Sequence, residues 1–130
     1  MANKVIEFQS DYLSPGTFFR RMDFYSKDNM FVWVFDVRDK DIEKRYNKRG
    51  CTEQFIWKHA PKFGGADWYE IRAENRTGVF LFLQISDDEL VEVWWNKQGF
   101  KYFGGRTYSK REFINWFNMR RYSNEHIIHQ

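Results

Sequence analysis

At 130 residues the chain has room for one domain with a real core, and fourteen Phe, seven Tyr and six Trp must build much of it because Leu, Ile and Val are scarce. Charged residues at 30% in an alternating pattern exclude a disordered chain, and no run approaches the roughly 18 apolar residues of a membrane span. The formal charge is +3, and Cys51 is the single cysteine, so neither an intramolecular disulfide nor a Cys-based zinc site can form. The N-terminal MANKVIEFQSDY lacks the apolar run of a secretion signal, and a cytoplasmic location is expected.

In chain order, Lys4 to Gln9 reads as a first strand. Ser14-Pro15 then opens a helix running to about Ser26, with Phe18, Met22 and Tyr25 on one stripe. Met30 to Val37 is apolar on both sides of the pleat, as in a strand buried on two faces. Asp39 is read as the cap of a short helix carrying Ile42 and Tyr46 and closed by Gly50. Gln54 to Lys58 can add a strand, and 61–65 is a loop.

Four β-rich runs follow: Asp67–Glu74, Gly78–Ile85, Leu90–Asn96 and Phe100–Phe103. Their short connections predict an antiparallel meander. Alternation puts Val91, Val93 and Trp95 on an aliphatic core face and Trp68, Phe80, Phe82 and Trp94 on the other, a stacking face for bases unless a helix covers it. Phe63-Gly64-Gly65 and Phe103-Gly104-Gly105 read as one loop chemistry used twice. Ser109-Lys110-Arg111-Glu112 is a capping box for a last helix to about Tyr122, with residues 123–130 as a frayed tail. The expected fold is α+β: one domain over 1–130, an antiparallel meander of about five or six strands with an N-terminal and a C-terminal helix packed on the sheet.

The function signal lies in the last quarter. From Lys97 onward, seven Lys/Arg face two Glu, a net +5, threaded with Phe, Tyr and Trp. Cations interleaved with rings suit a polyanion with bases to stack, or an acidic protein surface. Lys101, Tyr102, Arg106, Tyr108, Lys110, Arg111, Asn115, Asn118 and Arg121 are the candidate partner-binding residues, with Tyr102 and Tyr108 as stacking rings. The expected partner is nucleic acid or an acidic, nucleic-acid-handling protein. No membrane partner is expected, and a homodimer follows if a second copy covers the aromatic sheet face.

No catalytic residue, metal ligand or cofactor is assigned. Asp36 with Glu70-Ile71-Arg72 resembles the strand-borne Asp and (Asp/Glu)-x-Lys of a nuclease superfamily, but Arg72 stands where a Lys would be and cannot act as a tunable base. Asp36, Asp39 and Asp41 could hold a hard cation, and His126 and His129 lack a third ligand. The segment Arg76 to Phe82 resembles the basic-Gly-aromatic strand of RNA-recognition modules over seven residues, without their spacing or helix order. The composition, short and rich in Lys, Asn and aromatics, resembles that of accessory proteins of large bacteriophages. A second class is a protein-binding inhibitor or adaptor, since the Trp, Tyr and Arg content suits interface hot spots; a phage factor that blocks a host defence enzyme in the host cytoplasm is one instance.

Overall fold

The structure, a computed structural model, describes residues 3–10, 17, 20–21, 23–24, 29–45, 53–60, 78–119 and 125–129. Eight strands form one sheet: β1 Asn3–Gln9, β2 Asn29–Asp36, β3 Ile42–Arg45, β4 Glu53–Trp57, β5 Val79–Gln84, β6 Glu89–Lys97, β7 Tyr102–Ser109 and β8 Glu125–His129. Their spatial order is β3-β4-β7-β6-β5-β2-β1-β8. Helix α1 spans Lys110–Met119.

This sheet is mixed, which corrects the expected meander with a helix at each end. β5, β2, β1 and β8 are mutually parallel. β6, β7, β4 and β3 continue the sheet antiparallel from β5. The reason lies in β1 and β2. A parallel strand needs crossover connections that cover both sheet faces, so β2 is apolar on both sides, and in β1 even Lys4, Glu7 and Gln9 are buried. Phe31, Val32, Trp33 and Val34 are all at most 1% exposed. Thr17, Arg20, Arg21, Asp23 and Phe24, in the crossover between β1 and β2, have helical backbone; the rest of the helix expected from Pro15 to Ser26 lies outside the described residues.

Two further expectations change. Ile42–Arg45 is an edge strand paired with β4, while Asp39 sits in the preceding turn and caps nothing helical. The segment read as a frayed tail supplies β8, which pairs with β1 from Lys4↔Glu125 to Phe8↔His129. The strand expected at 67–74, with Trp68, Glu70 and Arg72, lies outside the described residues, as do Cys51, Gly64-Gly65 and Arg121.

Each face has its own core. On one, Val5, Phe31, Trp33, Phe35, Leu81, Leu83, Val91, Val93, Phe55 and Phe103 pack together. Trp33 stacks on Phe35 at 5.2 Å, and Phe55 on Phe103 at 5.1 Å. Arg21 reaches Glu7, whose side chain is fully buried, at 2.7 Å. On the other face α1 presses Phe113, Trp116 and Phe117 onto Ile6, Val32, Val34, Phe82 and Tyr108. Phe82 is the hub, with ring centroids 4.8 Å from Phe113, 4.9 Å from Trp116 and 5.6 Å from Tyr108. Aromatic pairs of this kind contribute about 0.5–1.5 kcal/mol each beyond burial.

The capping box sets where α1 starts. The Glu112 amide donates to Ser109 Oγ at 3.1 Å, and the Ser109 amide donates to Glu112 Oε1 at 2.9 Å. At the other end Lys4, only 3% exposed, donates through Nζ to the Phe117 carbonyl at 2.9 Å and lies 4.7 Å over the Phe117 ring. A cation there complements the helix dipole and ties α1 to β1.

Candidate nucleic-acid interface

On its sheet face α1 covers β1, β2, β5 and the stretch of β6 and β7 that carries Leu90 and Tyr108. Cross-strand partners share a face, so the register gives the composition of the remainder. One row runs Lys97, Tyr102, Ile56, Glu43 across β6, β7, β4 and β3. The next runs Trp95, Gly104, Gln54, Arg45, and a third continues from Phe82 beneath α1 to Glu92 and Arg106. Trp95, Tyr102, Ile56, Gln54 and Glu92 are half-buried, while Lys97, Arg45, Glu43 and Arg106 are exposed. Among the described residues no helix or strand packs over these rows.

A β-bulge puts Trp95 there. The register slips between Val93↔Gly105 and Trp95↔Gly104, leaving Trp94 as the extra residue. An extra residue reverses the inside–outside phase of everything after it. Trp95, which plain alternation assigns to the core with Val91 and Val93, therefore shares a face with Gly104. The two glycines make this possible. A Cβ on Gly104 would stand 2.6 Å from the Trp95 indole, so that ring lies against bare β7 backbone. A Cβ on Gly105 would overlap the Glu92 carbonyl oxygen. Phe103-Gly104-Gly105 is thus strand, not the loop its composition suggests.

Cations sit on the rings of this hairpin. Lys97 Nζ is 5.8 Å from the Trp95 ring centroid, Lys101 Nζ 5.5 Å from Tyr102, and the Arg106 guanidinium 4.7 Å from Tyr108. Arg45, Lys97, Lys101 and Arg106 face two carboxylates, Glu43 and Glu92, giving this region four charges less two, or +2. Asn96 Nδ2 donates to the Gly99 carbonyl at 2.7 Å and holds the turn that carries Lys101.

The remaining candidates fall elsewhere. Tyr108 is 4% exposed beneath α1 and is core, not a stacking ring. Phe82 is fully buried and Phe80 meets Trp116 at 5.0 Å, so both belong to the layer under α1 and not to an open stacking face. Trp94 is 40% exposed on the bulge. Arg111, Asn115 and Asn118 are exposed on the outer arc of α1, where Ile114 (53%) and Met119 (79%) are also exposed, and Lys110 opens the same helix. The capping box already occupies two free amides at the α1 N-terminus.

A separate open cleft of about 480 Å³ lies at the carboxyl ends of the parallel strands, lined by Ser10, Asp36, Arg38, Asp39 and Asp87. Open α/β sheets bind ligands at such places. Here the cleft is internally paired. Arg38 donates to both Asp36 oxygens, at 2.8 and 2.7 Å, and to Asp87 Oδ1 at 2.8 Å. Hydrogen bonding from Arg38 holds the Asp36 carboxyl below its usual range. Among the described residues no group of three His, Cys, Asp or Glu converges as a metal site, so Asp36, Asp39 and Asp41 are not brought together. No helix among them is long and apolar enough to cross a membrane.

No family model matches the chain, and no curated protein or solved structure shows significant similarity to it.

Proposed function

We propose that the chain is a non-enzymatic nucleic-acid-binding protein whose contact surface is the sheet face of β6, β7 and β4 that no described helix or strand covers. One observation carries this reading: Lys97 and Lys101 lie over the Trp95 and Tyr102 rings on a sheet face that α1 leaves uncovered. Such a surface offers charge to phosphates and flat apolar area to bases. A nucleic acid held within a nucleoprotein would meet the same chemistry.

The test is fluorescence anisotropy with labelled single-stranded DNA, single-stranded RNA and duplex DNA at several salt concentrations. With Lys97, Lys101 and one of the neighbouring arginines, Arg45 or Arg106, engaged on a single strand, the logarithm of affinity should fall with a slope near −2 against the logarithm of salt. That is roughly a 20-fold loss between 50 and 200 mM salt. Lys97→Glu with Lys101→Glu should abolish binding, and wild-type affinity in that double variant would defeat the proposal.

A second reading rests on α1. Ile114 and Met119 are large apolar side chains exposed beside Arg111, Asn115 and Asn118. That combination suits docking on another protein, as an inhibitor or adaptor would. Its signature is a partner complex weakly sensitive to salt and lost in Ile114→Asp.

A further inference from the structure

We infer that this face of β6, β7 and β4 takes an unpaired, extended polynucleotide, with two neighbouring bases seated on Trp95 and Tyr102 and its phosphates on Lys97 and Lys101. This rests on the nucleic-acid reading and narrows it to a strand type and a footprint.

The spacing of the rings decides the strand type. Trp95 pairs with Gly104, and Tyr102 lies two residues along β7 from that glycine. Adjacent strands are about 4.8 Å apart, and two residues advance about 6.8 Å. The two Cα atoms are therefore roughly 8 Å apart. Successive bases in a duplex rise only about 3.4 Å and keep their faces stacked inside. Bases seated on both rings must be pulled apart, so only an unpaired, extended strand fits.

Orientation of the indole supports the same occupant. Trp95 lies against Gly104 and does not stand up from the sheet, because no side chain on β7 fills that position. A ring lying along the sheet offers a face to a base, whereas a standing ring offers an edge. Lys97 and Lys101 now occupy the rings as cation–π partners. Both are exposed lysines, near the β6–β7 turn, with stems long enough to swing from ring to phosphate as a base arrives. Gln54 shares the Trp95–Gly104 row and has a side-chain amide that a base seated there could use. Stacking accepts any base, so this footprint binds DNA or RNA provided that the strand is unpaired.

The experiment titrates the full chain into labelled oligothymidylate and oligouridylate of about twelve residues, and into a duplex of the same length. Trp95→Leu and Tyr102→Leu should each weaken single-strand binding by about 5- to 150-fold. Trp95→Phe, which keeps a ring against Gly104, should retain most of the affinity, and circular dichroism of each variant checks folding. Quenching of indole fluorescence by oligothymidylate should be smaller in Trp95→Phe than in wild type. Thymidylate against uridylate tells DNA from RNA. Single-strand binding unchanged in both leucine variants overturns the stacking footprint while leaving the nucleic-acid reading in place. Duplex binding equal to or tighter than single-strand binding does the same. No binding to any probe by wild type overturns both.

Discussion

A methyl group added at Gly105 probes the bulge that exposes Trp95. Its Cβ would overlap the Glu92 carbonyl oxygen and stand 3.0 Å from both the Glu92 carbonyl carbon and the Trp94 amide nitrogen. All three atoms are backbone, so no side-chain rotation relieves the contact. Carbon and oxygen settle at about 3.3 Å or more, so β6 and β7 must part by roughly an ångström or more. Parting them weakens the ladder bonds on either side of the bulge, about two at ~1 kcal/mol each, and overpacking adds about 1–3 kcal/mol. Gly105→Ala should therefore cost about 3–5 kcal/mol, a large share of a stability on the order of 5–15 kcal/mol. At Gly104 the three atoms nearest an added Cβ all belong to the Trp95 indole. That ring can swing away, so the cost should be smaller, about 1–2 kcal/mol, with a shift in tryptophan emission. Urea unfolding followed by circular dichroism measures both. Equal stability of Gly105→Ala and wild type would refute the close approach and the bulge with it. On the functional account Gly104→Ala should also weaken single-strand binding, because it lifts the indole off β7.

Other consequences concern stability. Burial holds the Glu7 carboxyl above its usual range despite the Arg21 guanidinium beside it. Stability linked to Glu7 is thus full below about pH 4 and is lost as pH rises through the raised value. Glu7→Gln should accordingly gain stability relative to wild type between pH 4 and pH 7 in urea midpoints, and parallel curves would contradict this. Glu53 has the opposite sign: hydrogen bonds from Lys44 at 2.8 Å and Thr107 at 2.6 Å hold its carboxyl below the usual range. Its contribution is present above about pH 4.3 and is lost as pH falls through the lowered value. Glu53→Gln should cost about 0.5–1 kcal/mol at pH 7, the scale of an exposed pair, and nothing once wild-type Glu53 is protonated. Lys4→Ala removes the tie between β1 and the end of α1, and should cost about 2–3 kcal/mol with faster amide exchange in α1.

Several elements are legible from local chemistry alone. The capping box names the first turn of α1 because its hydrogen bonds join residues three apart. The runs that become β5 and β6 are visible as apolar segments with a short connection, whereas only Tyr102 and Phe103 of β7 fall within the expected run Phe100–Phe103. Sheet order depends on partners distant in sequence, and there local patterns fall short. The two-sided apolar run Met30–Val37 signals a parallel neighbourhood, yet it cannot say that β1 and β5 are those neighbours. Ile42–Arg45 carries three good helix formers, Glu43, Lys44 and Arg45, and has only four residues, too few for a period to show, and pairing with β4 overrides the propensity. Trp95 is misplaced by alternation because one extra residue at the bulge inverts the phase. Gly104-Gly105 is the trace of that bulge, since paired glycines inside a strand mark a bulge or a close backbone approach as readily as they mark a loop. The basic, aromatic character of the last quarter is plain in the sequence. Which rings face solvent is not, because that depends on how far α1 reaches across the sheet.

Mapping where an unpaired oligonucleotide touches the chain tests the central claim most directly. In a titration of isotope-labelled protein with oligothymidylate, nuclear magnetic resonance should show shifts concentrated at the Trp95 indole N–H, the Gly104 amide, the Gln54 side-chain amide and the amides of Lys97 and Tyr102. Shifts confined to Asn115, Asn118 and their neighbours on the outer arc of α1, with the Trp95 and Gly104 signals unmoved, would contradict it.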